Sequence, residues 1–171
     1  MCPLKILITG AQGFIGKNLT AELRNHGYKD IYLFDRDTEE KLLDQYTKDC
    51  DFVFHLAGVN RPREEKEFMA GNFGFTSKLL ASLKKHNNTC PVMISSSIQA
   101  EKDNPYGKSK KAGEDIVFAY AKESGAKVLV YRFPNVFGKW SRPNYNSVIA
   151  TFCHNIARDI PIEVHNRETK L

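Results

Sequence analysis

Short apolar runs and stretches of helical periodicity take turns along this chain. Lys5–Thr9 (KILIT), Ile31–Phe34 (IYLF), Phe52–His55 (FVFH), Val92–Ser95 (VMIS) and Lys127–Tyr131 (KVLVY) are dominated by apolar residues. Their length and continuity predict strands covered on both faces of a parallel sheet. Between them, apolar positions recur at helical spacing. Ile15, Leu19 and Leu23 mark one helix, and Phe68, Phe75, Leu79, Leu80 and Leu83 mark a long one ending near His86. Ala112, Ile116 and Ala119 mark a third, stopped at Gly125. After Gly138 the pattern loosens, and a last helix is predicted from Ser147 to about Arg158. Alternating strands and helices with right-handed crossovers predict an α/β fold: a Rossmann-like, doubly wound parallel sheet of about five strands, with helices on both faces.

The turn after the first strand reads Thr9-Gly10-Ala11-Gln12-Gly13-Phe14-Ile15-Gly16. Glycines at 10, 13 and 16 permit a tight turn, close approach of backbone to a pyrophosphate, and close packing of helix on strand. The free N–H groups and the dipole at the start of the helix favour the phosphate charge. With 11 Gly in 171 residues, chance supplies about 0.05 such triplets, so the spacing is informative. The second strand ends in Asp35-Arg36. An acid there can bind the ribose 2′-hydroxyl of NAD, and an Arg can accept the 2′-phosphate of NADP, so these two residues leave the dinucleotide open.

A second constellation lies further on. Asn104 suits a helix N-cap and Pro105 the first helical position, which puts Tyr106 and Lys110 one turn apart on one face. A phenol is a poor acid or base at neutral pH; a nearby ammonium and the helix start are expected to lower its pKa. Taken alone, Tyr-x-x-x-Lys is expected about 0.7 times by chance. Order and placement give it weight, because a serine-ended strand, Ile94-Ser95-Ser96-Ser97, precedes it. A hydroxyl at the carboxyl end of a parallel strand can donate to a substrate carbonyl, although serines also commonly end strands.

Composition narrows the class. The length, 171 residues with 42% hydrophobic, is one domain's worth with a normal core. Cys2, Cys50, Cys90 and Cys153 stand singly, which predicts free thiols in a reducing compartment and no metal site. The net charge is +5, but Lys and Arg form no run longer than two, so nucleic acid is not an expected partner. No apolar stretch nears the ~20 residues needed to cross a bilayer, and the N-terminus has no signal-peptide pattern; the expectation is a cytoplasmic protein without a membrane partner.

GAQGFIG (Gly10–Gly16), HLAG (His55–Gly58), SSS (Ser95–Ser97), YGKSK (Tyr106–Lys110) and RFPNVFG (Arg132–Gly138) occur in the order seen in extended short-chain dehydrogenases/reductases. The chain resembles these epimerase/dehydratase-like enzymes over nearly its whole length. HLAGVNRP, SSSIQA with DNPYG, and FGKWSRPNYNSVIATFC narrow the resemblance to bacterial capsular polysaccharide enzymes with an N-terminal reductase domain and a C-terminal cupin domain. The resemblance implies NADPH-dependent reduction of a 4-keto UDP-6-deoxy-amino-sugar on the route to UDP-N-acetyl-L-fucosamine. Two other readings are an NAD-dependent nucleotide-sugar epimerase or dehydratase, and a non-catalytic NAD(P)-binding sensor.

It further implies that Tyr106 donates the proton, that Lys110 modulates it and clamps the ribose, and that Ser97, with Ser96 kept in view, is the catalytic hydroxyl. Gly10, Gln12, Gly13, Phe14, Ile15 and Gly16 would surround the pyrophosphate. Asp35 and Arg36 would meet the ribose, Arg36 as partner of the 2′-phosphate. Leu56, Ala57, Gly58, Asn72, Ser95 and Pro134 would line the cofactor, and Asn135, Arg142 and Ser97 would face the UDP-sugar. The polar loop of Lys139, Arg142, Asn144 and Asn146 reads equally as a grip on that sugar or as plain surface. His55 and the Phe–Leu stripe from Phe68 to Leu83 are assigned to core packing. A homodimer through the long helices is implied as well. The chain departs from the family in two ways. Sixteen residues separate Asp35 from Phe52, too few for the usual helix, strand and helix, which predicts strand order 2-1-3-4-5 and leaves the adenine pocket undefined. Residues 1–171 also read as one NAD(P)-binding domain, truncated before a substrate lobe or cupin domain.

Overall fold

A computed structural model describes residues 4–164. Strands β1 (Ile6–Thr9), β2 (Ile31–Phe34), β3 (Phe52–His55), β4 (Val92–Ser97) and β5 (Val128–Phe133) form one parallel sheet in the order β2-β1-β3-β4-β5. Thr9 pairs with Phe34 on one side and His55 on the other, and His55 pairs with Ile94. This register brings the carboxyl ends of the central strands to a single edge, where sheets of this kind bind ligands.

The side-chain alternation of the strands sorts the core onto two faces. Leu7, Val53, Val92 and Ile94 pack against Leu43 of α2 (Glu40–Asp49), Leu79, Leu80 and Leu83 of α4 (Phe75–Lys85), and Val117 and Tyr120 of α5 (Pro105–Ser124). Ile6 and Ile8 point the other way, toward Leu19 and Leu23 of α1 (Phe14–Asn25), with Phe54 and Leu56 beside them. Helices therefore cover both faces, as the alternating pattern predicts.

Helix α2 fills the short span between Asp35 and Phe52, where the sequence reading assigned no helix. Its inward residues, Leu43 and Thr47, are flanked by Tyr46, whose ring stacks on Tyr32 at 4.5 Å between centroids. Thr47 at a buried position weakens the apolar stripe; its hydroxyl is accommodated by donating to the Leu43 carbonyl (2.8 Å).

The long helix expected up to His86 is not uniform. It starts as α3 (Lys66–Phe68), widens into a π-helical stretch at Met69–Gly74, and continues as α4. Such wide turns are uncommon and often sit at functional sites. Helix α5 has the predicted ends: Asn104 Oδ1 accepts the Gly107 N–H (2.8 Å), Pro105 opens the first turn, and Gly125 closes the helix at φ 74°.

The chain divides into two compact units, Met1–Arg132 and Phe133–Leu171. The second contains α6 (Val148–Ile156), capped by Ser147, whose hydroxyl accepts the Ala150 N–H (3.2 Å). It ends two residues before the predicted limit at Arg158. Among the described residues, no helix is long and apolar enough to cross a membrane.

Candidate active site

The three glycines of the first turn have separate duties. Gly10 has φ 70°, and a Cβ on it would lie 2.7 Å from the Ala57 nitrogen and 2.9 Å from the Leu56 carbonyl carbon. The turn thus presses directly on the loop after β3. A Cβ on Gly16 would collide with the backbone of Gly10 and Ala11, so this glycine sets how closely α1 approaches the turn. Gly13 is the N-cap of α1 and supplies no side-chain cap, and Gln12 and Gly13 are exposed. Phe14 and Ile15 open the helix half-buried. An uncapped helix start behind an exposed turn leaves N–H donors for an anion, and so the residues present fit a diphosphate.

Asp35 has a more specific position than its spacing suggested. Its Oδ2 accepts the Gln12 N–H (2.8 Å) and its Oδ1 accepts the Arg36 N–H (2.8 Å). The carboxylate thereby ties the end of β2 to the glycine turn. Arg36 is exposed beside it. On the other side of the turn, Leu56 donates its N–H to the Thr9 carbonyl (3.0 Å), and Gly58 is exposed.

At the end of β4, three consecutive serines differ. Ser95 is buried and its hydroxyl donates to the His55 carbonyl (3.3 Å). Ser96 is buried and donates to Glu114 Oε1 (2.5 Å), which removes it as a candidate to face substrate. Ser97 is half-buried, accepts the Gln99 N–H (3.2 Å) and lies close enough to the Tyr106 phenol to pull its pKa down. Lys110 donates from Nζ to the Ser95 carbonyl (3.0 Å), and the same Nζ lies 5.9 Å from the centre of the Tyr106 ring. Ser97, Tyr106 and Lys110 are therefore gathered at one place, on the sheet edge that carries the glycine turn.

One sequence expectation is corrected. The Tyr106 phenol is shifted up, not down: burial raises it, and the Ser97 hydroxyl pulls the other way. The reason is geometric, because the Lys110 ammonium is turned to a strand carbonyl. Burial lowers Lys110 to about 8, against the charge of Glu114, which raises it. Both shifts favour the neutral forms.

Asn72 lies in the π-helical stretch and is 3% exposed. Its Oδ1 accepts the Val59 N–H (2.8 Å), and its Nδ2 donates to the Val59 carbonyl (2.9 Å) and to Ser109 Oγ (2.9 Å). Its side chain braces the loop after β3 against α5, with both ends engaged within the protein. His55 is 1% exposed between Thr9 Oγ1 (2.6 Å from Nδ1) and Thr76 Oγ1 (2.8 Å from Nε2). Thr76 donates its own proton to the Asn72 carbonyl (2.5 Å). It must therefore accept from His55 Nε2–H, leaving Nδ1 to accept from Thr9. Burial, reinforced by the Lys110 charge, lowers this histidine to about 3 and keeps it neutral.

Phe68, assigned to the core with its stripe, instead packs its ring against Tyr106, 5.6 Å between centroids. Phe75 does join the core, stacked on Phe34. Glu114, which lies in no motif, and Arg132, the first residue of RFPNVFG, form a bidentate pair: Nε to Oε1 (2.8 Å) and Nη2 to Oε2 (2.7 Å). Pro134, Asn135 and Arg142 all lie exposed in the second unit. In its polar loop, Lys139 Nζ sits 4.6 Å from the centre of the Trp140 ring. Among the described residues, no cluster of His, Cys, Asp and Glu is arranged to hold a metal.

The sequence profile of the "NAD dependent epimerase/dehydratase family" matches residues 6–170. The chain belongs to that family. It is 46% identical over 168 residues to the UDP-2-acetamido-2,6-beta-L-arabino-hexul-4-ose reductase of Pseudomonas aeruginosa, covering 98% of this chain and 45% of the relative. Its fold superimposes on the crystal structure of the capsular polysaccharide assembling protein CapF from Staphylococcus aureus with TM-score 0.86 and 48% identity, over 97% of this chain and 45% of that one. A structure of RMD from Pseudomonas aeruginosa complexed with NADPH gives TM-score 0.73 at 26% identity, over 91% and 62% of the two chains. The chain thus spans a little under half the length of the two proteins it matches at 46% and 48% identity.

Proposed function

We propose that this chain is the dinucleotide-binding and catalytic part of an NADPH-dependent reductase acting on a 4-keto UDP-6-deoxy-amino-sugar, in the supply of a capsular or surface polysaccharide precursor such as UDP-N-acetyl-L-fucosamine. The carrying observation is the gathering of Ser97, Tyr106 and Lys110 beside an open glycine turn, in a chain 46% identical to a named UDP-sugar reductase. The glycine turn and Leu56–Gly58 hold the dinucleotide, which when bound supplies the hydride. Ser97 holds the substrate carbonyl oxygen by a hydrogen bond, and Tyr106 passes its phenolic proton to that oxygen as negative charge builds on it. The upward shift of the phenol suits this direction, since reduction needs the protonated form at the start of each turnover. Lys110 holds the ribose and stabilises the phenolate left behind. By the family resemblance, Pro134 would line the cofactor, and Asn135 and Arg142 would serve the UDP-sugar.

NADPH is preferred to NAD because the Asp35 carboxylate already accepts two backbone N–H groups, while the Arg36 side chain at the same strand end is exposed. The enzyme works in the cytoplasm, where nucleotide sugars are made, and two copies associate through the long helices. The test is turnover of UDP-2-acetamido-2,6-beta-L-arabino-hexul-4-ose by the intact protein with NADPH, followed by loss of NADPH absorbance. Consumption of NADPH that depends on the sugar and vanishes in Tyr106→Phe supports the reading. A folded, NADPH-binding protein that leaves the sugar unchanged overturns it.

A further inference from the structure

Glu114 is a carboxylate 1% exposed inside α5, with no place in the chemistry described so far. A buried charge survives only when paired and hydrogen-bonded, and its partners come from two strands. Ser96 of β4 donates to Oε1 (2.5 Å), and Arg132 of β5 forks onto both oxygens. The same guanidinium donates from Nη1 to Glu101 Oε1 (2.5 Å), at the end of the 3₁₀ turn Ile98–Glu101 that follows β4. The segment carrying Ser97 is thus gripped on both sides: at Ser96 by Glu114, and at Glu101 by Arg132.

The spacing along α5 gives this network a further meaning. Residues 106, 110 and 114 lie on one face of the helix, and each meets one of the three serines. Lys110 bonds the Ser95 carbonyl and Glu114 the Ser96 hydroxyl, while the Tyr106 phenol lies within the influence of the Ser97 hydroxyl. Glycine at 107 lets the helix start this close, because a Cβ there would collide with the Gln99 and Lys102 carbonyls. We infer that Glu114 is a positioning residue of the proposed reductase site, its carboxylate holding Ser96 and with it the Ser97 hydroxyl in place against Tyr106. This inference rests on the proposed reductase reading only for its effect on turnover; the geometry it asserts can be read out separately.

Glu114 also bears on Lys110 through charge. The groups facing Lys110 are the Tyr106 phenol of its own helix, His55 of β3, Asn72 of the π-helical stretch and Glu114. His55 is neutral above about pH 3, so Glu114 is the negative charge in this set. Glu114 itself faces Arg132, Ser96 and Lys111: burial pushes its carboxyl up, but Arg132 and Ser96 outweigh this and hold it below the usual range.

The experiment uses the intact protein with two substitutions, Glu114→Gln and Ser96→Ala, each checked for folding by circular dichroism and for NADPH binding by fluorescence. Both should bind NADPH as wild type does. In Glu114→Gln, kcat with the UDP-linked keto sugar should fall about 10- to 100-fold, the range a small misplacement costs, with KM little changed. The Lys110 titration, followed by NMR of labelled lysine, should move down by about one pH unit as its counter-charge goes. In Ser96→Ala, which keeps the Glu114–Arg132 pair, kcat should fall by a smaller factor. There the Tyr106 phenol, followed by NMR of labelled tyrosine, should titrate at higher pH as the Ser97 hydroxyl drifts from it. If Glu114→Gln does not fold, Ser96→Ala decides alone. Folded variants with unchanged kcat and unchanged titration midpoints overturn the inference. Were the wild type itself to leave the sugar unchanged, the reductase reading would fall, while the two titrations would still decide the positioning role.

Discussion

The glycine turn and the serine–tyrosine end share one edge of the sheet and are built from different materials. The turn is backbone: Gly10 and Gly16 succeed because they lack a Cβ, and its donors are peptide N–H groups at the start of α1. The serine–tyrosine end is side chain on side chain, with a buried carboxylate, a guanidinium and a half-buried phenol set among strand carbonyls and hydroxyls. A backbone site is specified by a few local residues and tolerates little substitution at them. A side-chain site is specified by partners far apart in the chain, and each can be changed alone. The two regions should therefore fail differently, the first through loss of binding and the second through loss of turnover at intact binding.

The largest expected effect is on the side-chain end. Tyr106→Phe should lower kcat by at least about a thousandfold, within the range of a lost general acid, while NADPH affinity stays within about twofold by fluorescence titration. A parallel loss of binding would erase the contrast between the two regions. Next comes Gly10→Ala, which places a methyl group against Leu56 and Ala57 at a positive φ. Dinucleotide affinity should drop about a hundredfold or more, with about 2–4 kcal/mol of stability lost to strain and overpacking; calorimetric titration and chemical denaturation measure the two.

The third effect is one of pH. His55 joins the regions, bonded to Thr9 before the glycine turn and to Thr76 beside Asn72. Its folded-state pKa, about 3, lies below the ordinary value near 6.5. The unfolded chain therefore binds the extra proton first as pH falls. Stability should be full above about pH 6.5 and decline below it, by at most about 1.4 kcal/mol per pH unit. Glu114 adds to the loss only below the usual carboxylate range, because its pKa is depressed. Denaturation series at pH 7, 6 and 5 isolate the histidine, and a flat profile there would contradict its burial as a neutral ring. The smallest effect is Arg36→Ala, expected to weaken NADPH by about tenfold, the scale of one charged hydrogen bond, and to leave NADH unchanged; equal loss for both would remove the case for a 2′-phosphate contact.

The same contrast explains what could be read from residue order. The strands, the caps of α5 and the three glycines depend on neighbours a few positions away, so spacing and residue type were enough. Tyr106 and Lys110 could be named because a helical turn brings them together. Beyond that range the signal fades. Asp35 accepts the Gln12 N–H from 23 residues away, a partner that its place after β2 does not name. The Tyr106 shift took the wrong sign because Lys110 chose a carbonyl on β4, a partner no i, i+4 rule contains. Helix α2 escapes the pattern where a buried threonine interrupts its stripe, and nothing near Glu114 along the chain marks its pairing with Arg132 and Ser96. These features depend on tertiary pairing, of which a single sequence carries no trace.

The widened turn at Met69–Gly74 acts as a spacer in the rotational phase of the long helix. Were the same residues wound as ordinary α turns, everything upstream would swing by roughly 100° about the axis. Phe68 would leave the flank of Tyr106, while Leu79, Leu80 and Leu83 stayed seated in the core. The winding of that stretch, more than the identity of most residues in it, decides whether the phenol keeps an aromatic wall.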